Sequence, residues 1–254
     1  MNKKTIILSF VLSALTGSAW SQTINMLVGT YTDGGSCGIY SYLFNQETGR
    51  VVALLDSLPL CNPSFLTIAP DHRHVYAVSE TNDQHASLNT IGYQPEDGTL
   101  KLLESIPTRG EDPCYVEADR QLVLTANYSG GSMSIFNLNH DGSHATLAAC
   151  FFGTTGGPDM SRQEMPHVHC ARFTPDGQYI LVTDFSADRI LAFKRDGTTV
   201  STPEVASYVR GRSPSSHLQW RWALRLSDER TVWQGECVQL FRGKIAVVAD
   251  DGLR

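Results

Sequence analysis

Pro166-His167-Val168-His169 opens the stretch PHVHCARFTPDGQYILVTDFSADRILAF, which runs to Phe193 and decides how the rest of the chain is read. Val168, Cys170, Phe173, Tyr179, Leu181 and the block Ile190-Leu191-Ala192-Phe193 alternate or run as strand residues do, and Pro175-Asp176-Gly177 supplies the turn between them. The spacing predicts a β-hairpin followed by a third strand. Two earlier segments repeat the pattern: NPSFLTIAPDHRHVYAVSE from Asn62, and DPCYVEADRQLVLTANYSGGSMSIF from Asp112. Pro63, Pro113 and Pro166 hold corresponding places, 50 and 53 residues apart.

A period of about 50 residues with four short strands per unit predicts an all-β chain, a β-propeller whose blades are small antiparallel sheets around a central channel. A sandwich or barrel also shows many short strands, but it does not repeat the proline start and the following turn in register. Propeller sites lie where loops and inner strand ends converge on the axis. The polar residues Glu80, Asn127 and Asp184 close what read as equivalent strands. Taken singly each is a turn cap or an edge guard; their recurrence in three units marks them as a candidate set.

Composition narrows the classes. With 254 residues, 41% of them hydrophobic, and a net charge of −6, the chain can bury a core and shows no basic pattern for nucleic acid. Lys3-Lys4, the apolar run Ile6 to Leu12 and the small residues ending at Ala19-Trp20-Ser21 read as a secretory signal peptide over residues 1–21. That run is shorter than the roughly 20 residues a membrane span needs. An exported protein beginning at Gln22, without a membrane span, is the expectation. Six cysteines (37, 61, 114, 150, 170 and 237) form no C-x-x-C pair. They predict neither a zinc site nor a dense disulfide framework, and leave room for a single pair.

The character changes after about Val209. Residues 22 to 209, the partial propeller domain, contain no Trp, whereas Trp220, Trp222 and Trp233 crowd the tail with seven of the fifteen arginines. The expected fourth copy of the inner hairpin is missing from residues 210–254. Back-translated with permissive codons and read one nucleotide later, Arg212 to Leu253 can spell DRPRH, GRYAYLMSEL, GKVSVF and EGKLQLLQT, the strings of a further blade in order. The expectation is a frameshift near Gly211, in the gene or in its sequencing, with a truncated product.

With the repeats laid out, the chain resembles the lactonase family of seven-bladed propellers, which is 6-phosphogluconolactonase-like and related to carboxymuconate cyclases. The resemblance rests on VGTYT with GIY (Val28 to Tyr40), NPSFLTIAPD with VYAVSE, ANYSGGSMSIF, and PHVH followed by FTPDGQYILVTDFSADRI, and it covers Leu27 to about Tyr208. It implies seven blades, of which about four are present. It also implies catalysis by the His of P-H-x-H, here His167 or His169, with an Arg and a further Glu that occur only in the shifted reading.

Opening a lactone with water needs a base, a donor for the developing oxyanion, and contacts that hold the substrate. Histidine suits the first task, since an unperturbed imidazole, with a pKa of about 6.5, accepts a proton near neutrality. His167 and His169, two apart on an extended segment, share one face; the plainer reading has one satisfying buried backbone and the other solvated. Glu80 is the candidate carboxylate partner. Tyr31, Asn127, Tyr128, Asp184 and Arg189 are the candidate substrate contacts, with Arg189 beside Asp188 also readable as a surface ion pair. No acidic ligand stands at a telling distance from H-x-H, so no metal and no cofactor is expected. The expected reaction is hydrolysis of a sugar lactone to the open-chain aldonic acid. A lactonizing cycloisomerase and a non-catalytic binding propeller are the competing classes. Which lactone is used, and the oligomeric state, do not follow from the sequence.

Overall fold

The computed structural model describes residues 23–208 apart from 155, 158, 162 and 185, together with the strands Cys237–Leu240 and Ile245–Ala249. Among the described residues there is no helix, and therefore none long and apolar enough to cross a membrane. The strands form four sheets. The first holds β1 (Thr23–Gly29), β2 (Gly38–Asn45) and β3 (Arg50–Pro59). The second is β4 (Leu66–Ile68), β5 (His74–Ser79), β6 (Ser87–Tyr93) and β7 (Leu100–Pro107). The third is β8 (Pro113–Ala118), β9 (Leu122–Asn127), β10 (Ser132–Leu138) and β11 (Ala145–Phe152). The fourth is β12 (Val168–Phe173), β13 (Tyr179–Asp184) and β14 (Arg189–Asp196), with β15 (Thr199–Val200) and β16 (Glu204–Tyr208) both pairing with β14.

The second, third and fourth sheets begin just after Pro63, at Pro113 and just after Pro166, in the order the repeat predicts. Each is an antiparallel meander; in the second and third the strands β5 and β9 are buried on both faces and read as runs, whereas β13 of the fourth alternates between buried and part-exposed residues. Along β5, Val75 and Ala77 pack toward Leu27 and Ile39 of the first sheet. Tyr76 and Val78 pack toward Val116, Val123 and Phe136 of the third. On the far side of the third sheet, Leu122, Leu124, Met133 and Ile135 meet Val168, Ile180, Val182 and Phe193 of the fourth. One sheet therefore serves as the floor of one core and the roof of the next, which is the packing of neighbouring propeller blades.

Close approach between blades explains one glycine. A Cβ at Gly29, the last residue of β1, would stand 2.0 Å from the Pro63 carbonyl oxygen. Gly29→Ala forces the first two blades apart and is expected to cost about 1–3 kcal/mol in a denaturant titration. An unchanged midpoint would show that this seam gives freely.

Two strands come from the tail that the sequence sets outside the propeller. β17 (Cys237–Leu240) pairs with β18 (Ile245–Ala249), and β18 lies parallel to β1, the one parallel pair among the described strands. The run Ile245-Ala246-Val247-Val248-Ala249 has strand propensity whatever its origin, and it takes up the open edge of β1. The rest of the tail, and the predicted signal peptide, lie outside the described residues. Cys37, Cys61, Cys114, Cys150 and Cys170 carry free thiols, so no pair forms among these five.

Candidate functional site

The antiparallel pairing of the first two strands in each blade brings the start of the inner strand beside the end of the next. This happens at one rim of the fan, and there the functional candidates gather. The Glu80 N–H bonds the Asn62 carbonyl at 3.0 Å, and the Tyr128 N–H bonds the Asp112 carbonyl at 2.8 Å. Asn62 and Asp112 both adopt positive φ, 42° and 48°, a conformation that Asn and Asp tolerate better than most residues. The equivalent of Glu80 is thus Tyr128, one residue past its strand end.

That shift corrects the reading of Asn127 and Asp184. They are the last residues of β9 and β13, and the counterpart in β5 is Ser79, not Glu80. One step along a strand moves a side chain to the other side. All three are buried and tie the second strand of a blade to the third. Ser79 Oγ accepts from Asn89 Nδ2 at 3.1 Å. Asn127 accepts from Thr125 at 3.0 Å and donates to Ser132 and Ser134, each at 2.9 Å. Asp184 Oδ2 takes Arg189 Nε at 3.3 Å and Nη2 at 3.2 Å. Burial holds the Asp184 carboxyl above its ordinary range despite the guanidinium beside it. In this structure the Asn127, Asp184 and Arg189 side chains bond to neighbouring strands within a blade, as buried polar groups must. The Arg189 partner is Asp184, not the adjacent Asp188, whose carboxylate accepts from Gln163 Nε2 at 2.9 Å.

Two clusters remain at the rim. In the first, Glu80 Oε2 accepts from Tyr31 Oη at 2.9 Å and from Ser64 Oγ in a very short bond. Asn62 frames it: its Oδ1 accepts from the Thr32 N–H and Oγ1, both at 2.9 Å, and its Nδ2 donates to the Glu80 carbonyl at 3.1 Å. Burial raises the Glu80 carboxyl above its usual range, and the Asp112 charge adds to the rise. Tyr31 is pushed well up, first by burial and then by the facing carboxylate. Burial likewise pushes up the Cys114 thiol, with Glu80 the next cause. That thiol donates to the Ala126 and His169 carbonyls, each at 3.7 Å.

In the second cluster, His167 Nδ1 lies 3.0 Å from the Tyr128 carbonyl oxygen. The Tyr128 ring stacks on the imidazole at 4.3 Å and 5°, and meets His169 edge-on at 5.7 Å and 86°. A groove of about 310 Å³ between β4 and β8 runs the other way, toward His72 at the far ends of these strands. Its acid, Glu117, is held by Tyr115 Oη and Arg172 Nε, each at 3.1 Å. Among the described residues no group of three or more His, Cys, Asp or Glu side chains is placed to hold a metal ion. Ser64, Asn62 and Asp112 are the rim residues that sequence reasoning left out. The Asn-Pro and Asp-Pro steps mark their positions but read only as strand starts.

The Glu80 environment has a measurable consequence. Between the unfolded and the raised native value the folded state holds the extra proton, so stability falls as pH rises through that window. Glu80→Gln keeps one oxygen for both hydroxyls and removes the buried charge. The variant is expected to melt above the parent at neutral pH, with the gap closing in acid below about pH 4, where the carboxyl is protonated in both states. Melting curves across a pH series test this; a gap that widens in acid contradicts it.

Antiparallel blades packed face to face in sequence order define a β-propeller. The chain belongs to the family described as Lactonase, 7-bladed beta-propeller, whose model matches residues 25–221. It is 31% identical over 189 residues to a 6-phosphogluconolactonase of Bacillus subtilis, covering 74% of this chain and 54% of that protein. It is 28% identical to a 6-phosphogluconolactonase of Formosa agariphila, covering 66% of this chain and 49% of the relative. A solved structure from Bacteroides fragilis, provisionally called a 6-phosphogluconolactonase, superimposes with a TM-score of 0.68 at 40% identity, over 72% of this chain and 51% of that one. The chain spans about half the length of the curated relatives it matches.

Proposed function

We propose that this chain hydrolyses a sugar δ-lactone of the 6-phosphogluconolactone type to the open-chain aldonic acid. The observation that carries the reading is the imidazole of His167 at the rim. Its Nδ1 faces a carbonyl, which can only accept, so Nδ1 bears hydrogen and the neutral ring keeps its lone pair on Nε2. In the reaction Nε2 takes a proton from water as the water oxygen attacks the lactone carbonyl. The tetrahedral oxyanion collapses, the bond to the ring oxygen breaks, and the imidazolium returns its proton to that oxygen. Tyr31 and Ser64, whose hydroxyls meet on Glu80, supply donors that can turn to the carbonyl oxygen or to substrate hydroxyls. Export, which the first 21 residues favour, would place the reaction outside the cytoplasm.

The test offers the purified chain 6-phosphoglucono-δ-lactone and glucono-δ-lactone and follows acid release against the spontaneous rate. Acceleration of either that is lost in His167→Ala supports the reading. No acceleration of either overturns it, and turnover of a muconolactone in their place moves the chain to the cycloisomerases.

A further inference from the structure

We infer that the turn Tyr128-Ser129-Gly130-Gly131 of the third blade is a positioning device for His167 of the fourth, fixing which nitrogen of the ring is free and where it points. The inference rests on the reading of His167 as the base. Three independent features converge on this one side chain.

The first is the bond itself. Tyr128 presents its carbonyl to His167 Nδ1 at 3.0 Å, and that oxygen also accepts the Gly131 N–H at 3.1 Å, so its direction is set by the turn and not by the histidine. The second is the ring. At 4.3 Å and 5° the phenol plane lies flat against the imidazole and restricts it to two orientations about χ2, 180° apart, of which the one seen puts Nδ1 on the Tyr128 carbonyl, while His169 closes the edge of the phenol. The third is the backbone. Pro166, which fixes where His167 begins, is wedged between two glycines. A Cβ at Gly131, whose φ is +55°, would stand 2.5 Å from the Pro166 oxygen, and one at Gly153 would stand 2.5 Å from the Pro166 Cβ. The Gly153 N–H in turn bonds the Gly131 carbonyl at 2.8 Å.

The turn is itself held from behind. Tyr128 N–H bonds the Asp112 carbonyl at 2.8 Å, Gly130 N–H bonds the Glu111 carbonyl at 3.1 Å, and Ser129 Oγ donates to the Asp112 carboxylate in a very short bond. A neutral histidine in water prefers the proton on Nε2, the nitrogen that a general base must keep open. The Tyr128 carbonyl inverts that preference, and the stacked ring limits the swing that would undo it. Tyr128 is thus a positioning residue, acting through the imidazole.

The test reads the tautomer directly. The chain is labelled with ¹⁵N-histidine, spectra are recorded in alkaline buffer, and His167 is assigned among the eight histidines by the signal lost in His167→Gln. The expected result is a pyrrole-type Nδ1 and a pyridine-type Nε2 in the parent chain and in Tyr128→Phe, which keeps both carbonyl and ring. In Tyr128→Ala the averaged shifts should move toward the solution tautomer, and lactone kcat should fall on the order of tenfold with KM little changed, a loss of orientation rather than of binding. Tyr128→Phe should restore both. A pyridine-type Nδ1 in the parent chain overturns the inference without any variant having to fold, and a Tyr128→Ala spectrum identical to the parent's, with the backbone carbonyl still in place, overturns the part given to the ring. If the tautomer follows Tyr128 while no lactone is opened, the positioning stands and the hydrolase reading fails.

Discussion

Replacing His167 by alanine is expected to lower lactone turnover at least ~100-fold while leaving the fold intact, because general-base catalysis by a placed imidazole contributes on that order. The side chain is half-buried at a rim, where it fills no core, and its removal leaves one carbonyl oxygen that still accepts the Gly131 N–H. Melting behaviour should therefore barely change, which separates loss of chemistry from loss of structure. His169→Ala makes the sharper comparison. The His169 ring meets the edge of Tyr128, and its backbone carbonyl, which the substitution keeps, receives the Cys114 thiol. If His167 alone carries the proton, His169→Ala should cost far less. Near-normal turnover in both variants would remove histidine from the mechanism.

The largest effect on stability is expected from Phe136→Ala, about 3–5 kcal/mol for loss of a fully enclosed aromatic side chain. Phe136 is 0% exposed and packs with Tyr76, Val78 and Leu88 of the second blade as well as Val116 and Val123 of its own. Urea titration should show the midpoint falling with an unchanged slope. The position tests the architecture, since sheets that merely stood near one another would lose less and would unfold in separate steps. A cost below about 1 kcal/mol, at the level of a surface substitution, would mean that the seam between these blades is not a true core.

How much was legible beforehand depended on which signal each feature wrote into the sequence. The prolines at 63, 113 and 166 and the Pro-Asp-Gly turn fixed the period and the hairpins, because turn chemistry is local. The phase of the strands was harder. The strands within VYAVSE and LVLTANY are buried on both faces, so no alternation says which terminal residue points outward. Glu80, Asn127 and Asp184 looked equivalent for that reason, and hydrogen bonds to the inner strand were needed to pair Glu80 with Tyr128. Proximity in sequence points Arg189 to Asp188, whereas its ion-pair partner Asp184 faces it across the hairpin. Ser64 gave no sign at all, because its role depends on a carboxylate sixteen residues away. His167 and Tyr128 were both read as candidates, but their stacking joins two repeats and is invisible to a reading that treats each repeat by itself.

That joining has a consequence for how the molecule fails. The imidazole belongs to one blade and the oxygen it bonds to another, so on the proposed reading competence is a property of the seam and of neither sheet alone. A slip of one ångström between two neighbours, too small to expose any core or to register in a melting curve, would free the ring first. With His167 as the base, turnover would then report the alignment of these two blades before any loss of core did.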